Sequence, residues 1–276
     1  MTTRLFGTRK AHAKAFSKAC LILLCTVYVF GCARTLPPPG VPADTLWERF
    51  QAAQETHAKN APGLSATASL NYKSPEKKAR VLLKLWGNLE YPLRLDLLTG
   101  FGSPIAYFRE DGAGRLAYVP SAETAFFHRD PRNAALWPGE ALPFSLRETA
   151  LIAAGGFRGL LPETFTSAQT APDMGWRYLF SETDRVRSLT LDGKARPVQV
   201  RGVFQGRPWL LHIHGYSRDE AGEILGPEKL ILESRDAHAV LRIKKIERKH
   251  EPWPEKALAL KLPPGTKTRV QNEKAP

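Results

Sequence analysis

The spacing of apolar side chains changes along the chain, and each spacing predicts a different element. Leu46, Phe50 and Ala53 recur at steps of four and three residues, which predicts an amphipathic helix that begins at the N-cap Asp44. The stretch Ala61-Pro62-Gly63 ends this helix. Beyond it, apolar and polar residues alternate, which is typical of half-buried strands.

The alternation recurs in two blocks of about six strands, separated by a helical segment. The predicted strands cover residues 64–72, 81–85, 93–97, 105–109, 115–119 and 123–128, then 176–182, 185–191, 197–204, 208–216, 229–234 and 239–248. Between the blocks, Ser145 and Glu148 form a capping box before an apolar helix, which we expect to pack on a broad surface such as a sheet. Lys244-Lys245 interrupts the last alternation and indicates a β-bulge. This order predicts one α+β domain, with an antiparallel sheet around helices, over residues 44–276.

The net charge of +13 on 276 residues suggests a nucleic-acid-binding protein until its distribution is considered. Five basic side chains and no acidic one precede the apolar run from Ala19 to Phe30. A bilayer-spanning helix needs ~20 apolar residues, and this run is too short. The pattern therefore predicts a secretory signal peptide over residues 1–31. Removal of its five charges from +13 leaves +8 on an exported chain, for which nucleic acid is not an expected partner.

The predicted signal peptide ends at a cysteine. Val29-Phe30-Gly31-Cys32 resembles the bacterial lipobox, and this resemblance implies that Cys32 carries a diacylglyceryl group and an N-acyl chain such as palmitate. An ordinary signal peptide that ends near a cysteine and an uncleaved anchor are the alternatives. By resemblance to Gram-negative sorting rules, Ala33 in the next position, where Asp would signal retention in the inner membrane, favours the outer membrane. Since Cys20 and Cys25 lie in the removed segment, no thiol remains for a disulfide or a metal site.

Residues 32–43 form the predicted lipidated cysteine and its tether. Four prolines between positions 37 and 42 favour an extended polyproline segment. At ~3.1 Å per residue, ten such residues reach ~30 Å from a membrane surface. The folded domain is therefore expected to hang from the periplasmic face of the outer membrane.

Three short stretches resemble motifs of one known family. They are the strand and loop at residues 93–104, the helix entry at 142–146, and the closing strand and tail at 260–267. Together with the lipobox and the order of elements, these stretches are similar to the LolA/LolB lipoprotein-localisation fold family, and to LolB in particular. The resemblance implies an open half-barrel of about eleven antiparallel strands lidded by helices. It also implies an outer-membrane lipoprotein that binds acylated lipoprotein or lipid cargo and helps to insert it, with a periplasmic carrier chaperone as a candidate partner.

A concave sheet face under apolar helices forms a pocket suited to acyl chains. Transfer then depends on differential burial, at ~0.8 kcal/mol per CH₂, and breaks no bond, so we expect no catalytic group, metal or cofactor. The candidate lining residues are Leu83, Leu85, Leu93, Leu95, Leu97, Tyr107 and Trp176. A sealed core is the alternative for the same residues. Phe101, between two glycines, is the candidate for contact with membrane or cargo, with a buried loop plug as the alternative.

Motifs of other function classes are weak. His212 and His214 share one face of a predicted strand but have no third ligand nearby, so exposure to solvent is the simpler interpretation. The basic clusters at residues 73–80 and 244–250 suit anionic lipid head groups or an acidic partner, or else a solvated edge strand. Two functions of different class therefore remain. One is the LolB-like transfer of acylated cargo, and the other is a non-transferring envelope lipoprotein that acts as a structural or protein-interaction module.

Overall fold

A single large sheet dominates the computed structural model, which describes residues 40–60, 62–131, 143–171 and 175–271, with the side chains of 57–60 left out. The sheet is curled and open, and its fourteen strands follow the order β14-β6-β5-β4-β3-β2-β1-β13-β12-β11-β10-β9-β8-β7. Neighbouring strands are antiparallel, apart from the parallel pair β14 and β6. The predicted signal peptide 1–31, Cys32 and most of the tether lie outside the described residues.

The strands occupy both blocks that alternation predicts. The first block consists of β1 (Gly63–Lys73), β2 (Lys78–Asn88), β3 (Leu93–Leu98), β4 (Pro104–Asp111), β5 (Gly114–Val119) and β6 (Thr124–His128). The second consists of β7 (Ser167–Ala171), β8 (Gly175–Leu179), β9 (Val186–Leu191), β10 (Pro197–Phe204), β11 (Arg207–Arg218), β12 (Ile224–Ser234) and β13 (His238–Lys249), and β14 (Lys267–Gln271) follows near the C-terminus. The predicted α+β class with a curled antiparallel sheet is confirmed.

Alternation predicted twelve strands and the family resemblance implied about eleven, but the sheet has fourteen. The two strands that were not predicted, β7 and β14, carry little apolar pattern. Every residue of β14 is exposed, and in β7 only Ala171 is buried. The closing strand expected within residues 260–267 is wrong in position. Pro263 and Pro264 belong to a turn in which the Thr266 amide donates to the Pro263 carbonyl oxygen at 3.2 Å, and β14 begins after it, at Lys267.

Helix α1 (Ala43–Asn60) packs on the second block of strands. It begins one residue before Asp44, which therefore lies in the first turn instead of at the N-cap. The predicted stripe is correct at Leu46 and Phe50 and wrong at Ala53, which is exposed. Gln54 is buried in its place, because its side-chain amide accepts a hydrogen bond from the Phe157 amide at 2.6 Å and donates one to a carbonyl oxygen near the end of the next helix.

Helix α2 (Leu146–Ala153) crosses the concave face between the two blocks. The predicted capping box is present: the Ser145 hydroxyl accepts from the Glu148 amide at 3.1 Å, and the Ser145 amide donates to the Glu148 carboxylate at 2.7 Å. Ile152 packs in the hydrophobic cluster of the second block, whereas Leu146 and Ala150 pack in that of the first. The expectation that this helix is buried against a sheet is confirmed.

The register between β1 and β13 contains the predicted bulge. Thr67 pairs with Lys245 and Ala68 pairs with Ile243, so Lys244 is the extra residue. The edge-strand interpretation of the two basic clusters is wrong. The cluster at 244–250 lies on β13, between β1 and β12, and the cluster at 73–80 lies on the β1–β2 hairpin in the middle of the sheet.

The chain after β13 runs across the convex face of the first block. It contains the one-turn helix α3 (Glu255–Leu258). Arg94 donates to the Ala259 carbonyl oxygen at 2.8 Å, and the Trp86 indole donates to that of Ala257 at 3.4 Å. Arg94 points away from the concave face, yet it is only 8% exposed because this segment covers it.

Candidate functional site

An apolar cavity lies between the concave face of the sheet and α2. The empty space within the cavity and its mouth, open solvent included, is about 1230 Å³. Strands β1 and β2 contribute Ala66, Ala68, Leu70, Val81, Leu83 and Leu85. Strands β11 to β13 contribute Leu211, Leu230, Leu232, Ala239, Leu241 and Ile243. Leu95 and Leu97 of β3 and a group from α2 and its entry complete most of the wall, so both blocks of the chain enclose one space.

The strand register arranges the lining side chains in successive rows. In the row nearest α2, Ala66 pairs with Leu85, which in turn pairs with Leu95. At the opposite end of the lining, Tyr72 pairs with both Ala79 and Ala239. Six residues separate Ala66 from Tyr72 on β1, and a strand rises ~3.3 Å per residue, so the rows extend over ~20 Å.

Several lining side chains remain partly accessible, as expected for an open cavity and not for a sealed core. Leu70, Leu83 and Leu241 are only half-buried, although each faces the concave side. In contrast, Leu95 and Leu97 are 3% exposed. Solvent-accessible leucine on an inner face leaves apolar surface available to a ligand.

Four of the seven predicted lining residues, Leu83, Leu85, Leu95 and Leu97, line the cavity. The structure places the other three elsewhere. Leu93 is fully buried in the core at the start of β3. Tyr107 alternates with the buried Ala106 and Phe108, so it faces the convex side, where it stacks on Tyr118.

Trp176 is the third residue outside the lining. It lies on β8, and its indole nitrogen donates to the Val41 carbonyl oxygen at 2.8 Å. Trp176 therefore packs where the chain enters α1, at a distance along the sheet from the strands that form the cavity. The sequence shows which residues share a face of one strand, but not which strands the cavity reaches.

The part of the lining that β11 to β13 contribute was not predicted. The signal was present, because Leu211 and Ile213 alternate with His212 and His214 on the predicted strand. Alternation does not reveal the order of strands in the sheet. Strand β13 pairs with β1, which places a strand from the end of the domain beside one from its beginning.

Phe101 protrudes from the turn between β3 and β4 and is fully exposed, so the buried-plug alternative is wrong. The turn is held by the Thr99 amide, which donates to the Ser103 carbonyl oxygen at 2.8 Å, and by Gly102 at φ 86°. Since Leu98 pairs with Leu82, this turn lies at the same end of the sheet as the β1–β2 hairpin. The exposed ring therefore stands near the Tyr72 end of the cavity.

Buried polar contacts fix the N-terminus of α2 to the first block. The Glu110 carboxylate accepts from the Leu146 and Arg147 amides, both at 3.0 Å, and from the Arg115 guanidinium at 2.8 and 2.9 Å. Glu110 and Arg115 have no solvent exposure. These bonds give α2 an anionic partner at its N-terminus, where the helix dipole favours one.

Other contacts fix α2 to the second block. Glu148 forms an ion pair with Arg185 at 2.7 Å. At the opposite end of the helix, Arg248 donates to the carbonyl oxygens of Ala154 and Leu225 at 2.7 and 2.9 Å. Burial lowers the pKa of Arg248. Both ends of α2 are thus bonded to the sheet.

The weak metal candidate gains no further ligand. His212 and His214 stack with their ring centroids 6.0 Å apart on the convex face, and His214 is exposed. Burial, with Lys229 and His212 nearby, lowers the pKa of His214. Within the described ranges there is no group of three or more potential metal ligands. Among all the described residues, no helix is long and apolar enough to cross a membrane.

Comparisons with known proteins agree with this architecture. No family model matches the sequence, and no curated protein is similar to it. A LolA superfamily protein from Nitrosomonas europaea has a similar structure with a TM-score of 0.55 at 12% identity, covering 80% of this chain and 99% of the other. An outer membrane lipoprotein-sorting protein domain from Vibrio parahaemolyticus matches with 0.52 at 10%, over 75% and 94%. A DUF1329 family protein from Desulfovibrio piger matches with 0.53 at 7%, over 79% and 99%. At these identities the shared feature is the fold, and the predicted LolA/LolB-like fold is confirmed.

Proposed function

From this LolA-like fold, we propose that the protein is an envelope lipoprotein that binds acyl chains of lipids or lipoproteins and passes them into the outer membrane. The observation that carries the proposal is the apolar cavity beneath α2, with half-buried leucines such as Leu83 on its wall. Its lining carries no charged side chain and extends over ~20 Å along the strands, which suits an acyl chain.

Binding and release follow from apolar burial alone. Each CH₂ that leaves water contributes ~0.8 kcal/mol, which corresponds to about a fourfold change in affinity. The membrane interior is a still larger apolar phase, so a chain released at its surface gains a second apolar environment. The proposed activity therefore breaks no bond and needs no catalytic residue or cofactor.

The proposed anchor is the lipid on Cys32. A polyproline tether of residues 32–43 would keep the domain within ~30 Å of the periplasmic leaflet. An anchor in the outer membrane would hold the cavity next to the bilayer that receives the acyl chain. A periplasmic carrier that delivers acylated cargo is the proposed partner.

A chain-length series tests the proposed cavity. The whole chain, with Cys32→Ser to remove the anchoring thiol, is titrated with methyl esters of ten, twelve and fourteen carbons. We expect affinity to rise about fourfold per methylene. Ala68→Trp fills the centre of the cavity and should abolish binding. Asn71→Trp places the same ring on the exposed side of β1 and should preserve binding.

Unfolding midpoints show whether both variants fold. If the unaltered protein binds no ester, or if Ala68→Trp and Asn71→Trp bind equally, the cavity does not hold acyl chains. The non-transferring envelope module then becomes the better account. If esters bind but do not move from the protein to lipid vesicles, binding stands and transfer is refuted.

A further inference from the structure

The cavity wall contains one unused polar group in an otherwise apolar lining. Of the described lining side chains, none is charged, and only those of Tyr72 and Thr149 carry a polar atom. The Thr149 hydroxyl donates to the Ser145 carbonyl oxygen at 2.9 Å. The Tyr72 hydroxyl is buried and has no hydrogen-bond partner within the described ranges. Tyr72 as a whole is 9% exposed.

A buried hydroxyl without a partner is unfavourable, because it loses its hydrogen bonds to water and gains none. Folded proteins leave few such groups, and those they leave call for an explanation. Tyrosine is ordinarily well suited to apolar sites whose edge offers a polar contact. No described residue supplies that contact at Tyr72, whereas a ligand in the cavity would.

We infer that Tyr72 is the polar anchor of the cavity and donates a hydrogen bond to the carbonyl oxygen of a neutral acyl ester. The inference rests on the proposed function and deepens it, because it names the part of the cargo that the cavity recognises. An ester offers acceptors only, which matches a single hydroxyl donor. A free carboxylate is disfavoured, because no described lining residue supplies a positive charge to balance it.

The position of Tyr72 gives the ligand a direction. Tyr72 belongs to the last row of lining residues, and the next position of β1, Lys73, pairs with Lys78 at the hairpin. The opposite end of the lining, at Ala66, lies ~20 Å away along the strand. One leaflet of a ~30 Å hydrocarbon core is ~15 Å deep, so this length holds one fatty acyl chain. The ester end therefore stays at Tyr72, and the chain tip points to Ala66 beneath α2.

The test compares two probes with the same sixteen-carbon chain. Methyl hexadecanoate carries the ester carbonyl, and hexadecane lacks it. Both displace a fluorescent apolar dye from the whole chain carrying Cys32→Ser. Tyr72→Phe removes only the hydroxyl oxygen, and Tyr107→Phe, on the convex face, is the matched control.

We expect Tyr72→Phe to weaken methyl hexadecanoate about fivefold, the effect of one hydrogen bond, and to leave hexadecane unchanged. Tyr107→Phe should change neither affinity. Without ligand, Tyr72→Phe should unfold at the same temperature or a higher one, since it removes an unsatisfied hydroxyl. If ester binding survives Tyr72→Phe intact, or if hexadecane weakens equally, the inference is wrong while the proposed function stands. If the unaltered protein binds neither probe, both fail.

Two sources of the ester are separated by a second pair of ligands. Dipalmitoylglycerol presents the esters of a membrane lipid, and an S-dipalmitoylglyceryl-cysteine peptide presents those of an acylated protein. Binding of both should fall with Tyr72→Phe, and the one that the unaltered protein binds more tightly is the cargo. If neither falls, the ester contact at Tyr72 is refuted.

Discussion

The strongest stability prediction concerns Glu110, which joins α2 to the sheet. Its carboxylate is fully buried and accepts from Arg115 and from two backbone amides of α2. Glu110→Gln keeps the shape but removes the charge, which leaves Arg115 buried opposite a neutral group. Removal of one partner of a buried ion pair costs ~3–5 kcal/mol, so we expect a loss in this range in the free energy of unfolding.

A double substitution distinguishes an ion pair alone from a carboxylate that also holds the N-terminus of α2. Replacement of both partners of a buried pair by apolar residues is often neutral. Glu110→Met with Arg115→Met should not be neutral here, because the amides of Leu146 and Arg147 lose their acceptor. An unsatisfied buried donor costs ~1–3 kcal/mol, and a deficit of about this size should remain.

Urea unfolding midpoints at constant slope give these values. Glu255→Gln is the matched control: Glu255 pairs with Arg109 at 2.6 Å, but its side chain is 70% exposed. Surface pairs contribute ~0–1 kcal/mol, so this control should change little. If Glu110→Gln costs no more than Glu255→Gln, the buried contact does not hold α2.

Two further predictions concern pH and membrane contact. Burial and the nearby Arg115 lower the pKa of His128. Between that value and the unfolded pKa of ~6.5, the unfolded chain binds more protons than the folded protein, so stability should fall as pH drops through this window. His128→Gln should make this loss shallower in unfolding midpoints measured from pH 7.5 to 5. Equal slopes for the two proteins would contradict the prediction. Phe101→Ser, in the chain carrying Cys32→Ser, should weaken sedimentation with lipid vesicles by about tenfold or more, because insertion of the ring is worth ~1.5–3 kcal/mol. Val270→Ser, at the other large exposed apolar side chain of the described residues, is the control, and equal losses would refute a specific role for Phe101.

Elements with a strong apolar period were predictable from the sequence, whereas elements held by other contacts were not. The alternation at Leu93, Leu95 and Leu97 placed β3, and the Ser145–Glu148 box placed α2. By contrast, β14 has no buried residue and is defined by its backbone pairing with β6. Backbone hydrogen bonds between strands do not by themselves require an apolar pattern, so the sequence does not reveal such a strand.

Polar residues in the interior were also not predictable. Side chains such as Gln54 and Arg94 are mostly exposed in proteins. Gln54 is buried because it satisfies backbone groups next to α2. Arg94 is buried because a segment 165 residues away covers it. Both partners are distant in sequence, so no local window contains the information.

The same limit applies to the cavity. Sequence identified the concave faces of β2 and β3, where four of seven named residues line the space. The rest of the wall depends on the pairing of β1 with β13, a contact between strands that are distant in sequence. An open cavity and a sealed core have the same apolar pattern, because the pattern records which side chains face inward and not how well they fill the interior.

The energetics of the two ends of the cavity indicate where a ligand enters. Lifting α2 would break the Glu110 contacts at one end and those of Arg248 at the other. The two amide bonds to Glu110 are expected to cost ~1–3 kcal/mol each if they are broken without replacement. At the opposite end, half-buried side chains such as Leu70 already meet solvent. Since Phe101 protrudes at this end too, the proposed function would have an acyl chain enter and leave along the strands at this end, with α2 in place.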